Sequence, residues 1–530
     1  VISPPPRPPP ASDGIDRSST AHESTVLSQS VCLLLIAKLF RRVLCSVYTA
    51  GWIVNYTKLR ARYALNSCWV PVVLEDRPVP ADSAISTQIV SQNSAERRTR
   101  QNSIMKNKTI NCSVHGLMTF SRVAMAVIDT PEYQRLRSIA QLGATSFVYP
   151  TASHSRFEHC LGTAHLGKLF ITEIAGRQPE LAISKREILC IELAGLCHDL
   201  GHGPFSHLWE TFYETCQPNH GAVWHHEQTS VHILRLLLKR YRIIERFRDE
   251  LDDSDVDMIG NIILGRVPEG SRRRFLYQII NNPDSGLDVD KWDYFLRDSH
   301  NLGVKIDFQY DYAMRNLEVL PYNGQLQVCF RDKCYDLIQQ AFRNRFKLHK
   351  KAYQHPKIKI IDEMLIRALL EVEQTCGAQL WKTTNDIACD EPTEEALTRF
   401  IEMTDIDVKV ALRKHSRLYR ALLTRSNSTL MYRYAGMLPV DDDDALARFE
   451  KSLGEHGLRS DEVALIKLDI HMGRKDQNPM DSILFFQKNS IAPEYMIRPV
   501  AEPVAEKQYV VALRGSDPEK LERLKGTLCR

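Results

Sequence analysis

Two adjacent side chains in Ile191–His207 (IELAGLCHDLGHGPFSH) are of types that could do chemistry together. His198 and Asp199 close an apolar helical run, His202 follows four residues after His198, and His207 lies past a Gly-Pro break. Neighbours on a helix diverge by about 100°, but at a helix end an imidazole and a carboxylate can lean toward one ion. Such a nitrogen and oxygen pair is half of a site for a divalent metal. An isolated HD dipeptide also reads as a buried histidine beside a capping aspartate, so the remaining donors must come from elsewhere in the chain.

Four further stretches carry matching residue types. In SHSRFEHCLG, Arg156 and His159 are three apart and share a helix face; a neutral imidazole beside a guanidinium suits a metal next to a bound anion. In GLDVDKWDYFLRD, Asp290, Tyr294 and Asp298 fall at i, i+4, i+8, beside apolar Val289, Trp292 and Phe295. Carboxylates on such a face are costly to bury unpaired, and a metal on Asp290 removes that cost. In RNRFKLHKKAYQH, Arg345, His349 and Tyr353 repeat the spacing, flanked by Lys347, Lys350, Lys351 and Gln354. A cationic stripe facing an acidic, metal-holding one suits a triphosphate, provided the two helices meet; a solvated helix would carry the same charges. VWHHEQ adds His225, His226 and Glu227 at a helix start, a candidate proton relay.

The elements that must position these residues begin at Lys108. KTINCSVHG reads as extended, and DTPEYQRLRSIAQLG as one helix capped by Thr130, with Pro131 at its first position and Glu132 in its first turn. Leu136, Ile139, Ala140 and Gly143 give that helix a packing face. Residues 240–282 read as charged helical scaffold. Beyond 376, the acidic run Asp441–Asp444 reads as a loop, ALIKLDIHM and SILFFQKN as strands, and the final stretch as a strand and a helix. Residues 1–30 are rich in Pro and Ser, and 75–107 form a polar linker with a basic cluster at Arg97, Arg98 and Arg100. Ser30–Val54 is more apolar, but Lys38, Arg41 and Arg42 leave no uninterrupted span of the roughly 20 residues a membrane helix needs.

With 530 residues, 43% hydrophobic and 25% charged, the chain is long enough for two or more domains and a sizeable core. A net charge of +4 admits polyphosphate ligands without demanding a nucleic acid. The 13 cysteines include no CxxC pair, and Cys190 and Cys197 lie inside an apolar helix, which points to a reducing compartment rather than a disulfide framework.

His159, His198-Asp199 and Asp290 thus follow an H…HD…D order, and the chain resembles the HD phosphohydrolase superfamily. Within it, the chain resembles the SAM and HD domain-containing deoxynucleoside triphosphate triphosphohydrolases. The phrases SHSRFEHCLG, LAGLCHDLGHGPFSH, HEQ, GLDVDKWDYFLRD and LHKKAYQH carry this resemblance across 108–375, with weaker similarity beyond. HD alone is a weak signal, whereas five ordered phrases are specific. No sterile-alpha-motif domain is recognisable in 1–107.

The resemblance implies a mainly α fold: a helical HD core over 108–375, a smaller α+β assembly and regulatory lobe over 376–530, and a poorly defined 1–107. It implies His159, His198, Asp199 and Asp290 as ligands of one divalent transition metal, iron, zinc or manganese. His207 would be the general acid for the departing 5′ oxygen, with His202, His226 and Glu227 as phosphate contacts or relay. Arg156, Lys291, Tyr294, Arg345 and His349 would line the triphosphate with magnesium. Gln141, Leu142, Asp298, Tyr353 and Gln354 would surround sugar and base, Leu142 excluding a ribose 2′-hydroxyl and Asp298 accepting from the 3′-hydroxyl. The implied partners are deoxynucleoside triphosphate substrates, GTP and deoxynucleotide activators, and further copies of the chain up to a tetramer, in nucleus or cytosol, with no membrane.

Lys108, Asn111, Asp129, Gln134 and Arg137 match the guanine-nucleotide activator pattern, and Arg331, Lys333 and His355 the adjoining deoxynucleotide site. Tyr312 and Pro356 stand where that pattern has cations, and Thr429 replaces another, although Arg433 remains; Arg514 is a further candidate charge. Each lost phosphate contact weakens binding on the order of ten- to hundredfold, so regulation is expected to be looser. Glu210 stands where a shorter Asp is usual. Two rival readings remain: an HD phosphohydrolase acting on another nucleotide, and a nucleotide-controlled module that binds single-stranded nucleic acid. The long cationic stripe and the four intact ligands argue against both.

Overall fold

The computed structural model describes residues 106–217, 224–377, 379–424, 429–439, 444–488, 490–496 and 503–528. The readings of 1–105 and of Asp441–Asp443 lie outside these residues. A hairpin of β1 (Lys108–Cys112) and β2 (Gly116–Phe120) leads into α1 (Arg122–Ile128), capped where Ser121 Oγ accepts from Ala124 N. The buried helices of the core follow: α2 (Arg156–Arg177), α3 (Lys185–Cys197), α4 (His207–Cys216), α5 (His226–Arg240), α6 (Asp253–Ile263) and α7 (Val289–Leu302).

Local chemistry starts these helices where the sequence places their caps. Ser155 with Glu158, and Ser184 with Glu187, form capping boxes at α2 and α3, satisfying amides that would otherwise lack partners. Asp288 accepts from Lys291 N to start α7, which ends at Gly303 in the left-handed conformation. Two glycines allow close approach. At Gly195 a Cβ would meet the Ala164 backbone, so α2 and α3 touch along their axes; at Gly162 it would overlap the Asp293 carboxylate of α7.

The expected single helix over 130–143 is instead broken. Thr130 caps it as read, but only Pro131–Gln134 is α-helical; a 3₁₀ turn follows at Arg135–Ser138, and Ile139 is extended. Ala140 then forms a bridge with Ser155, so pairing to the start of α2 takes the backbone bonds a continuing helix would have made.

After α7 come β3 (Leu317–Tyr322) and β4 (Gln325–Arg331), then α8 (Tyr335–Leu348), a π-helical turn at His349–Tyr353, and α9 (Pro356–Cys376). Helix α10 (Asp405–His415) packs on α9. In the C-terminal lobe, β5 (Arg433–Pro439), β9 (Ala505–Leu513) and β6 (Val463–His471) form an antiparallel sheet in the order β5-β9-β6, and α11 (Pro518–Leu528) packs on it. The strands β7 (Leu484–Gln487) and β8 (Ser490–Tyr495) join β3 and β4, β7 running parallel to β4. Hydrogen bonds therefore cross the boundary expected at 375. The fold is mainly α, with a smaller strand-containing C-terminal region. Among the described residues, no helix is long and apolar enough to cross a membrane.

Candidate active site

Four donor atoms converge where α2, α3 and α7 meet. His159 Nε2 lies 2.9 Å from Asp290 Oδ1 and 3.6 Å from Asp199 Oδ2. His198 Nε2 lies 3.4 Å from each of the same two oxygens and 3.3 Å from His159 Nε2. Two imidazoles and two carboxylates at these distances, with His159, His198 and Asp290 forming one compact group, fit a divalent metal. The imidazole orientations are set from behind: His159 Nδ1 is 2.7 Å from Asp293 Oδ2, and His198 Nδ1 is 2.8 Å from the Gly195 carbonyl. Burial opposes a charged His159, but Asp290 and Asp293 outweigh it and raise its pKa to about 10. Burial likewise opposes an ionised Asp199, but Arg156, His198 and His202 hold it well below the usual carboxylate range.

A cavity of about 600 Å³ opens beside this cluster. Its lining joins the two stripes read from the sequence: Asp290, Tyr294 and Asp298 from α7 face Arg345, His349 and Tyr353 from α8 and the π-helical turn. Arg156, Lys291, Gln141 and Leu142 complete the expected wall. Arg156 is buried and donates to Asp199 Oδ2 at 2.5 Å and to Ser206 Oγ at 2.9 Å. Burial disfavours the Lys291 ammonium, but Asp288 at 3.0 Å raises its pKa. Tyr294 is a neutral phenol, pushed up by burial to about 12. His349 is held neutral, its pKa driven well below the usual value by burial and by Arg345. Asp298 accepts from Tyr353 Oη at 2.5 Å and pairs with His154 Nε2 at 2.7 Å.

Four more groups line the cavity: His202, His207, His226 and Glu227. The His202 and His226 rings stack at 3.7 Å, and His207 meets both edge-on. Glu210 bridges two of them, 3.0 Å from His207 Nδ1 and 2.6 Å from His226 Nδ1, which leaves both Nε2 atoms unencumbered by it. Burial opposes an ionised Glu210, yet these histidines depress its pKa; the same pairing raises that of His226 against its burial. Glu210 thus reaches both rings through separate oxygens. His202 is fully buried and neutral, its pKa lowered first by burial and then by Arg156; its Nε2 lies 3.2 Å from Asp199 without a hydrogen-bond alignment.

One expected substrate residue is not brought into the cavity. Gln354 donates to the Asp469 carbonyl at 2.7 Å and accepts from Asp469 N at 2.8 Å, so its amide is committed to β6. The candidate activator residues also lie off the cavity lining. Lys108 and Asn111 stand on β1, and Asp129 ends α1. Arg137 Nε donates to Gln134 at 2.7 Å and packs over the Phe157 ring. Lys333 sits over the Tyr312 ring, Arg331 over Phe486, and His355 caps α9. Arg433 begins β5.

The sequence reading missed Asp293 and His154. Asp293 had a signal: it lies three residues after Asp290 and four before Arg297, which it pairs with at 2.8 Å, and it also meets His115 Nε2 at 2.6 Å. His154 had none, since Asp298 is 144 residues away. Lys359 and Asp362, a 3.0 Å ion pair on α9, also line the cavity and were not singled out.

Comparison with known proteins agrees with this geometry. The HD domain family matches residues 156–298, the span from Arg156 to Asp298 that holds all four convergent donors, so the class is that of HD-domain proteins. The chain is 34% identical over 413 residues to the deoxynucleoside triphosphate triphosphohydrolase SAMHD1 of Gallus gallus, covering 72% of this chain and 67% of that protein. It is 32% identical to SAMHD1 of Homo sapiens (75% and 68% covered) and 32% identical to the SAMHD1 homolog of Dictyostelium discoideum (78% and 77% covered). The chain belongs to the SAMHD1 family of deoxynucleoside triphosphate triphosphohydrolases.

Proposed function

We propose that this enzyme hydrolyses deoxynucleoside triphosphates to deoxynucleoside and inorganic triphosphate. The observation that carries this reading is the single cavity in which His198, Asp199 and Asp290 share a wall with Arg156, Lys291 and Arg345. His159, His198, Asp199 and Asp290 would hold a divalent metal, iron, zinc or manganese, which when bound polarises the α-phosphoryl group and acidifies a nearby water. Arg156, Lys291 and Arg345 neutralise the phosphates, with magnesium alongside, and the neutral Tyr294 phenol donates to a phosphate oxygen. Water adds to the α-phosphorus, the bond to the 5′ oxygen breaks, and triphosphate departs whole. His207, held by Glu210, gives the 5′ oxygen its proton through Nε2; His202, His226 and Glu227 contact phosphate or relay that proton.

Asp298, fixed between His154 and Tyr353, accepts from the sugar 3′-hydroxyl, while Gln141 and Leu142 close on the 2′ side. GTP and deoxynucleotides act as activators through Lys108, Asn111, Asp129, Gln134, Arg137, Arg331, Lys333, His355 and Arg433, favouring assembly up to a tetramer, with weakened control where Tyr312, Pro356 and Thr429 replace cations. Nucleus or cytosol is the setting that fits such a substrate. The test is product analysis on the full chain with manganese or iron, magnesium and each deoxynucleoside triphosphate, with and without GTP, and with the double substitution His198→Ala, Asp199→Ala as control. Intact triphosphate and deoxynucleoside in equal amounts support the reading. Orthophosphate or pyrophosphate in their place would sink it.

A further inference from the structure

The turn that delivers His207 to the cavity is strained and held from outside the HD core. Phe205 and Ser206 adopt φ of 60° and 57°, a left-handed region that bulky side chains disfavour. The turn lies against the opposite wall: a Cβ on Gly143 would come within 2.8 Å of the Phe205 carbonyl oxygen. One buried carboxylate ties the two together. Asp405, at the start of α10 and 3% exposed, accepts from Phe205 N through Oδ1 at 2.8 Å and from Ala140 N through Oδ2 at 3.3 Å. Ser206 Oγ closes the same junction by donating to the Ala140 carbonyl at 2.6 Å. The segment bearing Asp405 is itself anchored, because Arg135 donates at once to the carbonyls of Met403 and His202.

We propose that Asp405 is a positioning residue for both halves of the reaction site, holding the Phe205–Ser206 turn that presents His207 against the Ala140–Leu142 segment proposed to border the sugar. The inference rests on the proposed roles of His207 and Leu142. Neither atom of Asp405 lines the cavity, so its effect travels through two backbone amides. Loosening the junction moves the proton donor relative to the 5′ oxygen and widens the wall against a 2′-hydroxyl. It therefore alters kcat and sugar discrimination together, which a loss of fold stability alone does not do.

The experiment compares full-length protein with Asp405→Asn, an isosteric change that keeps one acceptor and turns an N–H toward the other amide, and with Ser206→Ala. Hydrolysis of dATP and ATP is measured with GTP supplied, on protein whose near-ultraviolet circular dichroism matches the wild type. The expected result for D405N is about a tenfold fall in kcat for dATP, the worth of one charge-assisted hydrogen bond, with a smaller change in KM. The ATP to dATP ratio of kcat/KM rises several-fold in both variants. An active wild type whose ratio is unchanged in D405N overturns the positioning role alone. If D405N does not fold, the ratio in S206A decides in the same way. A wild type that releases triphosphate from neither nucleotide overturns the hydrolase reading and this inference with it.

Discussion

His159 turns its Nδ1 to Asp293 Oδ2 at 2.7 Å, and Asp293 is fully buried. That carboxylate also takes both Nε and Nη2 of Arg297, so the His159 ring is aimed by a residue off the lining of the candidate cavity. Asp293→Asn is expected to weaken metal binding by about 10- to 100-fold, because the ring loses the partner that sets its orientation and basicity. Metal retained against a graded chelator checks this. Asp293→Ala, which strands a buried guanidinium, should in addition lower stability by about 3–5 kcal/mol in thermal unfolding.

Glu210 contacts His207 and His226 through separate oxygens. Glu210→Gln keeps its shape, but its amide NH2 meets one imidazole as a donor, so that ring must flip tautomer or turn away. The expected fall in kcat is about 10- to 100-fold with little change in KM. Steady-state kinetics across the four deoxynucleotides decide it, and an equal rise in KM would place Glu210 in substrate binding instead.

His154 holds Asp298, the residue proposed to meet the sugar 3′-hydroxyl. Replacement by Ala is expected to raise KM for a deoxynucleoside triphosphate about tenfold, and to leave a 2′,3′-dideoxy substrate, which lacks the 3′-hydroxyl, nearly unaffected. The measurement is the ratio of kcat/KM for the two substrates in each protein.

Asp284 connects the core to the C-terminal lobe: its carboxylate pairs with Arg274 and Gln278, and its carbonyl accepts from Arg474. Burial raises its pKa, but Arg274 and Gln278 bring the folded value below the ordinary one. A depressed folded pKa means that the unfolded chain binds more protons near pH 4. The stabilisation is therefore complete above that pH and lost as pH falls through the folded value. Asp284→Asn should lower stability by about 1 kcal/mol at pH 7, a figure reduced by partial exposure, and the gap to wild type should close as pH drops through the folded value. Melting temperatures measured over that range give the answer.

The residue types and spacings by themselves determined the two stripes, because a helical period states which side chains share a face; the four-residue ligand set came from the resemblance of five ordered phrases to a family. Spacing also carried the Thr130 cap, which depends on a neighbour three residues on. What lay across from each face was decided only by the tertiary structure. Gln354 follows Tyr353 directly, yet it leaves the cavity because Asp469, 115 residues on, takes both ends of its amide. The helix read over 130–143 ends early because Ala140 finds a partner in Ser155. Asp405 reaches Phe205 across 200 residues and Ala140 across 265. A buried hydrogen bond is satisfied by whichever group folding brings near, and periodicity holds no record of that distance.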